Sequence, residues 1–246
     1  MNRSLLKDST THVFLKNLPS TGEAELSITE SSYRSTKTDV TIVLAAENPL
    51  NKKWNNYIKR SVDIVISTLL LLLLFPWLLP LIAILIKITS KGPVFFLQQR
   101  NKLNGAIFTC IKFRSMYVNG EADFLPASEN DQRITTVGKF LRRHHLDELP
   151  QLFNVWLGDM SIIGPRPHMI SDNKKFEDLI TYYQYRHHVK PGITGLAQVL
   201  GYVGPVTTIE NITQRVEQDI YYVCHWSFYL DTKIACRTIL KIIGFK

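Results

Sequence analysis

Apolar and polar positions are distributed unevenly along this chain. Residues 1–50 are rich in Ser, Thr and Glu, and their apolar patches are as short as the one at 41–46. Such a segment buries little apolar surface and predicts a weakly ordered tail over 1–55, with a small strand pair as the alternative. No apolar run of the signal-peptide kind occurs in 1–40. From 64 to 86 the pattern reverses into an uncharged stretch that contains the leucine tract 69–74. As a straight helix it would reach about 35 Å, against a hydrocarbon core of about 30 Å. It is apolar on every face, unlike a surface helix of a soluble domain. Pro76 and Pro80 lie inside it; each removes a backbone donor and crowds the preceding turn, so a sharp bend is expected. Lys52, Lys53, Lys59 and Arg60 precede the stretch, and Lys87 and Lys91 follow it. Basic flanks at both ends favour a cytoplasmic position for both, and Trp54 and Tyr57 stand where interfacial aromatics belong. The expectation is a re-entrant membrane hairpin over 56–91 that breaks at Pro76 and Pro80, with a spanning helix as the alternative.

Beyond residue 92 the periods shorten. Two aromatic and β-branched runs, 93–97 and 107–111, flank Asn104-Gly105, which predicts a β-hairpin. Helical spacing predicts helices over 141–157, with Pro150 as a start or a kink, over 173–188 and over 206–226. Near the C-terminus Leu230, Ile234, Thr238, Ile239, Ile242 and Ile243 recur on one side, and Lys233, Arg237 and Lys241 on the other. With Trp226, Phe228 and Tyr229 just upstream, this predicts a basic amphipathic helix at a membrane surface, a packed helix with a solvated basic face being the alternative. The fold class expected is a small, helix-rich α/β domain over 92–246, membrane-associated, with an N-terminal re-entrant hairpin and C-terminal amphipathic interfacial helices.

Charge adds a direction but not a partner. Lys and Arg exceed Asp and Glu by 29 to 21, a formal net charge of +8. That suits anionic lipid, nucleic acid or a phosphorylated substrate. No nucleic-acid recognition motif is present, so nucleic acid is not expected as a partner. Cys110, Cys224 and Cys236 have no metal-ligand spacing and read as reduced thiols. The region 100–190 is dense in cations, among them Arg100, Lys112, Arg114, Arg142, Arg166 and Arg186. Within it stands the adjacent pair Asp147-Glu148. A carboxylate can attack phosphorus, and Mg²⁺ held by one or two carboxylates, together with Arg, neutralises a diphosphate. Gly164-Pro165-Arg166-Pro167 holds one guanidinium between two prolines, a pre-positioned phosphate ligand. Asp159 and Ser161 precede it and are expected to cap a helix or orient Arg166. The pairs His144-His145 and His187-His188 suit surface or phosphate-proximal positions better than a metal site, because neighbours on a helix face apart.

Residues 58–244 resemble the monotopic phosphoglycosyl transferases, the bacterial sugar transferase family. The resemblance rests on Lys59-Arg60-Ser61-Val62-Asp63-Ile64, Gly92-Pro93-Val94-Phe95-Phe96 and Lys112-Phe113-Arg114-Ser115-Met116. It continues through Leu146-Asp147-Glu148-Leu149-Pro150, Gly164-Pro165-Arg166-Pro167, Lys190-Pro191-Gly192-Ile193-Thr194-Gly195 and Asp219-Ile220-Tyr221-Tyr222. It implies a ping-pong enzyme at the cytoplasmic face of a bacterial inner membrane. A sugar-1-phosphate would pass from a UDP-sugar to polyprenyl (undecaprenyl) phosphate, releasing UMP and starting a lipid-linked surface polysaccharide. Asp147 matches the nucleophile and Glu148 the partner acid, the two being the candidates to hold Mg²⁺. Arg166 matches the substrate-phosphate arginine, and Lys112, Arg114 and Arg142 are the further phosphate-binding candidates. The sequence departs from the family pattern at Phe75, where Ser is common, at His144-His145, and at Leu196, where Trp is usual. A catalytically silent membrane adaptor is the competing reading. The sugar is unread, UDP-hexose being slightly favoured, and a homo-oligomer is left open.

Overall fold

The computed structural model describes residues 48–244 except 123, 126, 128–130, 205 and 207. The expected tail therefore lies almost wholly outside the described residues. Helix α1, Lys53–Thr89, follows a short 3-10 turn and is one continuous element. Its most apolar 18-residue window has a mean hydropathy of 2.9, and little of that window is covered by the rest of the protein. By length and composition α1 could cross a membrane. Pro76 and Pro80 lie inside without dividing it. The indole of Trp77 donates to the Leu73 carbonyl at 2.7 Å, in the turn Pro76 disturbs. Phe75, the first departure from the family pattern, packs edge-on against Phe153 with centroids 4.9 Å apart.

Both ends of α1 are held by the same body of the protein. Near the N-terminal end Lys59 pairs with Asp231 at 2.8 Å, and the Asp63 carboxylate accepts from Ser161 Oγ and Ile162 N, both at 2.9 Å. Arg60 donates to the carbonyls of Val155 and Trp156, the last turn of a neighbouring helix. Near the C-terminal end Ile82 and Ile86 are buried against Phe113 and Leu141. Between them the leucine tract faces outward, with Leu72 and Leu73 about two-thirds exposed.

The predicted hairpin forms: β1 (Phe95–Asn101) pairs antiparallel with β2 (Ile107–Phe113), Phe95 opposite Phe113. Asn104 and Gly105 take positive φ at the turn, as their sequence predicts. The helix expected over 141–157 is instead three pieces. Helix α2 (Thr136–Arg143) starts earlier, capped by the Thr135 hydroxyl, and stops where His145 enters the left-handed region at φ 56. A single 3-10 turn (Leu146–Glu148) follows, and α3 (Gln151–Leu157) begins after Pro150. A Pro at a helix start leaves no hydrogen bond unmade, which is why the chain re-enters a helix there. Asn154 of α3 bonds Ile111 N and the Thr109 carbonyl, so its amide continues the outer edge of β2.

Strands β3 (Ser161–Ile163) and β4 (Gly192–Thr194) form a parallel pair that the sequence reading missed. They meet where two glycines cross: a Cβ on Gly192 would lie 2.1 Å from Gly164 N. No other residue fits there. Helix α4 (Ile170–Leu179) ends nine residues short of the expected 188, and a 3-10 stretch (Tyr183–His188) covers the last six. Helix α5 (Leu196–Val199) is short, α6 is Ile209–Cys224, and α7 is Phe228–Ile243. The core has one part between α4 and α6, around Phe176, Tyr183, Ile212 and Val216, and another under α7, around Tyr222, Trp226 and Ile234. Ile239, Ile242 and Ile243 of α7 face outward.

His187, expected at the surface or near phosphate, is buried. Burial lowers its pKa to about 3, with the nearby Arg186 and His188 adding to the effect. The unfolded chain therefore takes up a proton below about pH 6.5 that the folded chain refuses until about pH 3, so acid costs stability across that interval. We expect thermal unfolding to show His187→Gln losing less stability than the wild type between pH 7 and pH 5, by up to about 2 kcal/mol. Parallel pH curves would contradict the buried neutral imidazole.

Candidate active site

The 3-10 turn places Asp147 and Glu148 on different faces, since successive residues are rotated by about 120° in such a turn. Glu148 points into protein and Asp147 into a cavity that it lines with Lys112 and Arg142. The left-handed residue His145 ends α2 before the acids and leaves both in the 3-10 turn. Lys112 Nζ reaches Glu148 Oε1 at 3.2 Å from β2. Arg166 engages both Glu148 oxygens from the Gly164–Pro167 loop, Nη1 to Oε2 at 2.9 Å and Nη2 to Oε1. Burial alone would raise the Glu148 pKa, but the charges of Arg166 and Lys112 and their hydrogen bonds hold it well below the usual carboxylate range. Glu148 is thus a fixed anion.

Asp147 is the opposite case. Burial, and then the Glu148 charge, push its pKa up, while Lys112, Arg142 and Arg166 pull it down. Among the described residues no hydrogen bond ties its carboxylate. It is a poorly solvated carboxylate facing open space, ringed by three cations, which is how a protein makes an oxygen nucleophile available. Arg142 is held by its Nε on Ser115 Oγ at 2.8 Å.

Of the residues singled out in the sequence, Asp147, Glu148, Lys112, Arg142 and Arg166 converge. Arg114 does not join them through its guanidinium, which donates instead to the carbonyls of Lys91 and Ser90 at 2.6 and 2.9 Å, just past the end of α1. Asp159 pairs with Lys102 and Ser161 bonds Asp63, so neither orients Arg166. Pro76 and Pro80 lie in α1, apart from the acids.

The residues that do orient Arg166 were counted in the sequence only as cations. Arg186 donates to the Arg166 carbonyl at 2.6 Å and Arg100 to the Pro167 carbonyl. Arg186 is 2% exposed and is matched by Asp219 of α6 through two hydrogen bonds at 2.7 and 3.0 Å. A signal for this existed. Asp219 falls among Ile212, Val216, Ile220 and Val223 on the inward stripe of α6, where an acid needs a buried cation. Replacing Asp219 with Ala should therefore leave the Arg186 guanidinium buried without a counter-charge. We expect a loss of roughly 3–5 kcal/mol in chemical or thermal unfolding. A change within experimental error would mean that the pair does not hold the loop.

The donor set also bears on metal. Among the described residues no three His, Cys, Asp or Glu side chains converge on one point. Of the two carboxylates expected to hold Mg²⁺, Glu148 has both oxygens taken by Arg166 and Lys112 and only Asp147 faces the cavity; Asp147 alone fits an ion that characteristically takes one or two protein carboxylates and completes its shell with water and substrate phosphates.

Comparison with known proteins identifies a family. Residues 54–244 match the family model described as bacterial sugar transferase. The chain is 48% identical over 203 residues to a UDP-glucose:undecaprenyl-phosphate glucose-1-phosphate transferase of Klebsiella pneumoniae, covering 82% of this chain and 43% of that protein. It is 41% identical to the enzyme of the same name from Caulobacter vibrioides, covering 82% of this chain and 76% of that protein. It is also 43% identical to a UDP-N-acetylgalactosamine-undecaprenyl-phosphate N-acetylgalactosaminephosphotransferase of Aeromonas hydrophila, covering 77% and 44%. The chain thus spans less than half the length of several of the relatives it matches.

Proposed function

The chain belongs to the bacterial sugar transferase family, and from that premise we propose that it transfers a hexose-1-phosphate from a UDP-sugar to polyprenyl phosphate through a phosphorylated Asp147. The observation that carries this reading is the contrast between the two acids. Glu148 is locked between Lys112 and Arg166, and Asp147 is free and faces the cavity.

In the first half-reaction an Asp147 oxygen attacks the sugar-bearing phosphorus, a P–Oδ bond forms, and the bond to the bridging oxygen breaks. UMP leaves with that electron pair. In the second, a phosphate oxygen of the polyprenyl phosphate attacks the same phosphorus. The acyl-phosphate bond breaks, its electrons return to the Asp147 carboxylate, and a polyprenyl diphospho-sugar is released. Arg166 and Lys112 steady the charge on the phosphoryl oxygens, and the buried Arg186 and half-buried Arg100 keep Arg166 from drifting. Asp147 is the carboxylate that would hold Mg²⁺, whose charge would offset that of the diphosphate; Glu148 would join it only by releasing Arg166 or Lys112. The Klebsiella and Caulobacter relatives, named for glucose-1-phosphate transfer, support UDP-glucose as the donor.

Purified protein mixed with UDP-glucose and Mg²⁺ but no lipid should release about one UMP per active site and gain the mass of a hexose-phosphate on Asp147. Asp147→Asn should abolish both, a loss of about 10³-fold or more in turnover with lipid present. UMP release that needs the lipid, or an adduct on another residue, would contradict the covalent route.

A re-entrant topology at the cytoplasmic face of the inner membrane goes with this chemistry. One small body binds both ends of α1, through Lys59 and Asp63 at one end and Ile82 and Ile86 at the other, which supports both ends lying on one side. With the native cysteines replaced by Ser, Asn56→Cys and Lys91→Cys should both resist an impermeant maleimide in intact cells and react after lysis. Labelling of one position alone in intact cells would mean a spanning helix.

A further inference from the structure

Behind the Arg166 loop lies a buried polar cluster that the transfer chemistry leaves unused. At its centre is Tyr183, which opens the 3-10 stretch after α4 and has no exposed surface. His168, the residue after Pro167, meets the Tyr183 hydroxyl with Nδ1 at 2.6 Å. Arg186, whose guanidinium holds the Arg166 carbonyl, reaches the same hydroxyl with Nη1 at 3.3 Å. On its other side the hydroxyl donates to Asn173 Oδ1 of α4, and Asn173 Nδ2 donates to Asn101 Oδ1 at the end of β1.

The protons in this cluster can be assigned by counting. A phenol hydroxyl has one proton and two lone pairs, and here all three are taken. Burial pushes the Tyr183 pKa up to about 12, so the proton stays. It goes to Asn173 Oδ1, which only accepts. The lone pairs are left for Arg186 Nη1 and for His168, whose Nδ1 must then carry a proton. Arg186 Nη1 also lies 3.2 Å from Nδ1, but a protonated ring nitrogen cannot accept, so the Nη1 bond goes to the phenol oxygen. Burial, and then the Arg186 charge, hold the His168 pKa well below its usual range, so the ring is neutral. Its Nε2 is buried without a partner among the described residues. An apolar side chain would fill the same space without burying that unpaired atom, so packing is not what the imidazole supplies.

The cluster connects two segments that grip Glu148. His168 continues the loop that carries Arg166. Asn101 belongs to β1, whose partner strand β2 carries Lys112. Strand β1 also reaches the loop through Arg100, which donates to the Pro167 carbonyl. The Tyr183 hydroxyl closes this frame from below, because it alone is shared by His168, Arg186 and Asn173.

Building on the transfer reading above, we propose that the Tyr183 hydroxyl is a positioning group for phosphoryl transfer, joining the Arg166 loop to the hairpin that carries Lys112 and so fixing where the Arg166 guanidinium meets the transferring phosphate. Tyr183 touches no substrate and acts through Arg186 and His168. Without its oxygen both donors lose their shared acceptor, and the loop is free to shift. A slightly displaced guanidinium still offers its charge to a bound diphosphate but serves the transition state less well. The rate therefore falls more than donor binding weakens.

Tyr183→Phe removes the oxygen and keeps the buried ring. The measurement is the UMP burst from UDP-glucose and Mg²⁺ without lipid, resolved into an amplitude, which counts folded active sites, and a rate constant. Tyr183→Phe should lower the rate constant at saturating donor about tenfold while half-saturation stays within about twofold of wild type. His168→Leu, which deletes the Nδ1 donor, should lose a similar factor. His168→Asn, which sets an amide N–H near the place of Nδ1, should recover most of it. A loss confined to the amplitude would reduce Tyr183 to a folding role, and a loss confined to donor half-saturation would make it a binding group. Either overturns the proposal, as does an unchanged rate constant in Tyr183→Phe, or His168→Asn as slow as His168→Leu. A wild type without a burst that still releases UMP when undecaprenyl phosphate is added would sink the covalent route alone. The same ordering of the variants in steady-state kcat would then decide on Tyr183. A wild type that transfers nothing would sink the transfer reading and this inference with it.

Discussion

Glu148 is a carboxylate removed from water, and the site is organised around keeping it charged. An isolated buried carboxylate would take up a proton rather than stay ionised. Two cations from different parts of the chain prevent that: Lys112 from strand β2 and Arg166 from the loop after β3. Lys112 is largely out of water and Arg166 partly so, and each is matched by the acid it serves. Burial lowers the Lys112 pKa and the Glu148 charge opposes this, while the same charge raises that of Arg166. The triplet pins three segments, far apart in sequence, to one point. The adjacent Asp147 inherits a fixed place without being tied down.

That arrangement reaches outward in layers. Arg166 is aimed by its own backbone, whose carbonyl is held by Arg186, which is held by Asp219 of α6. The loop carrying it leaves β3 and runs close beside β4 only because Gly164 and Gly192 lack side chains. The apolar helix is attached by the same device at a different place. Asp63 accepts from Ser161 and Ile162 of β3, and Lys59 meets an aspartate that also receives Tyr222 and Trp226. Polar groups at the margins of a lipid-compatible helix do two jobs here. They fasten it to the domain, and they avoid carrying unpaired charge toward hydrocarbon. Positioning the chemistry next to an apolar surface is thus a matter of a few buried hydrogen bonds.

Some of this is plain from residue order. The run 64–86, its basic flanks and the Asn104-Gly105 turn depend on contiguous residues, and the corresponding helix and hairpin are present. Asp147, Glu148, Arg166, Lys112 and Arg142 are identifiable because carboxylates, cations and proline-bracketed arginine have few other uses at that density. The helix expected over 141–157 was misread for a local reason. Periodicity continues through His145, and only the left-handed backbone at that residue, favourable once Glu148 meets its cations, interrupts it. The β3–β4 pair escaped for the opposite reason, since strands of three residues carry too little pattern to be seen.

The sequence by itself determined the inventory and the local elements: an apolar helix, a hairpin, an acidic pair in a basic region, and a rigid arginine. Those follow from neighbours along the chain. Only the tertiary structure decided which cations serve the acids and which serve the backbone. Arg114 and Arg186 look like Lys112 and Arg166 as letters, yet one binds the end of α1 and the other lies beneath the loop. An arginine's role is set by the carbonyl or carboxylate that reaches it first on burial, and that partner comes from whichever distant segment packing brings alongside.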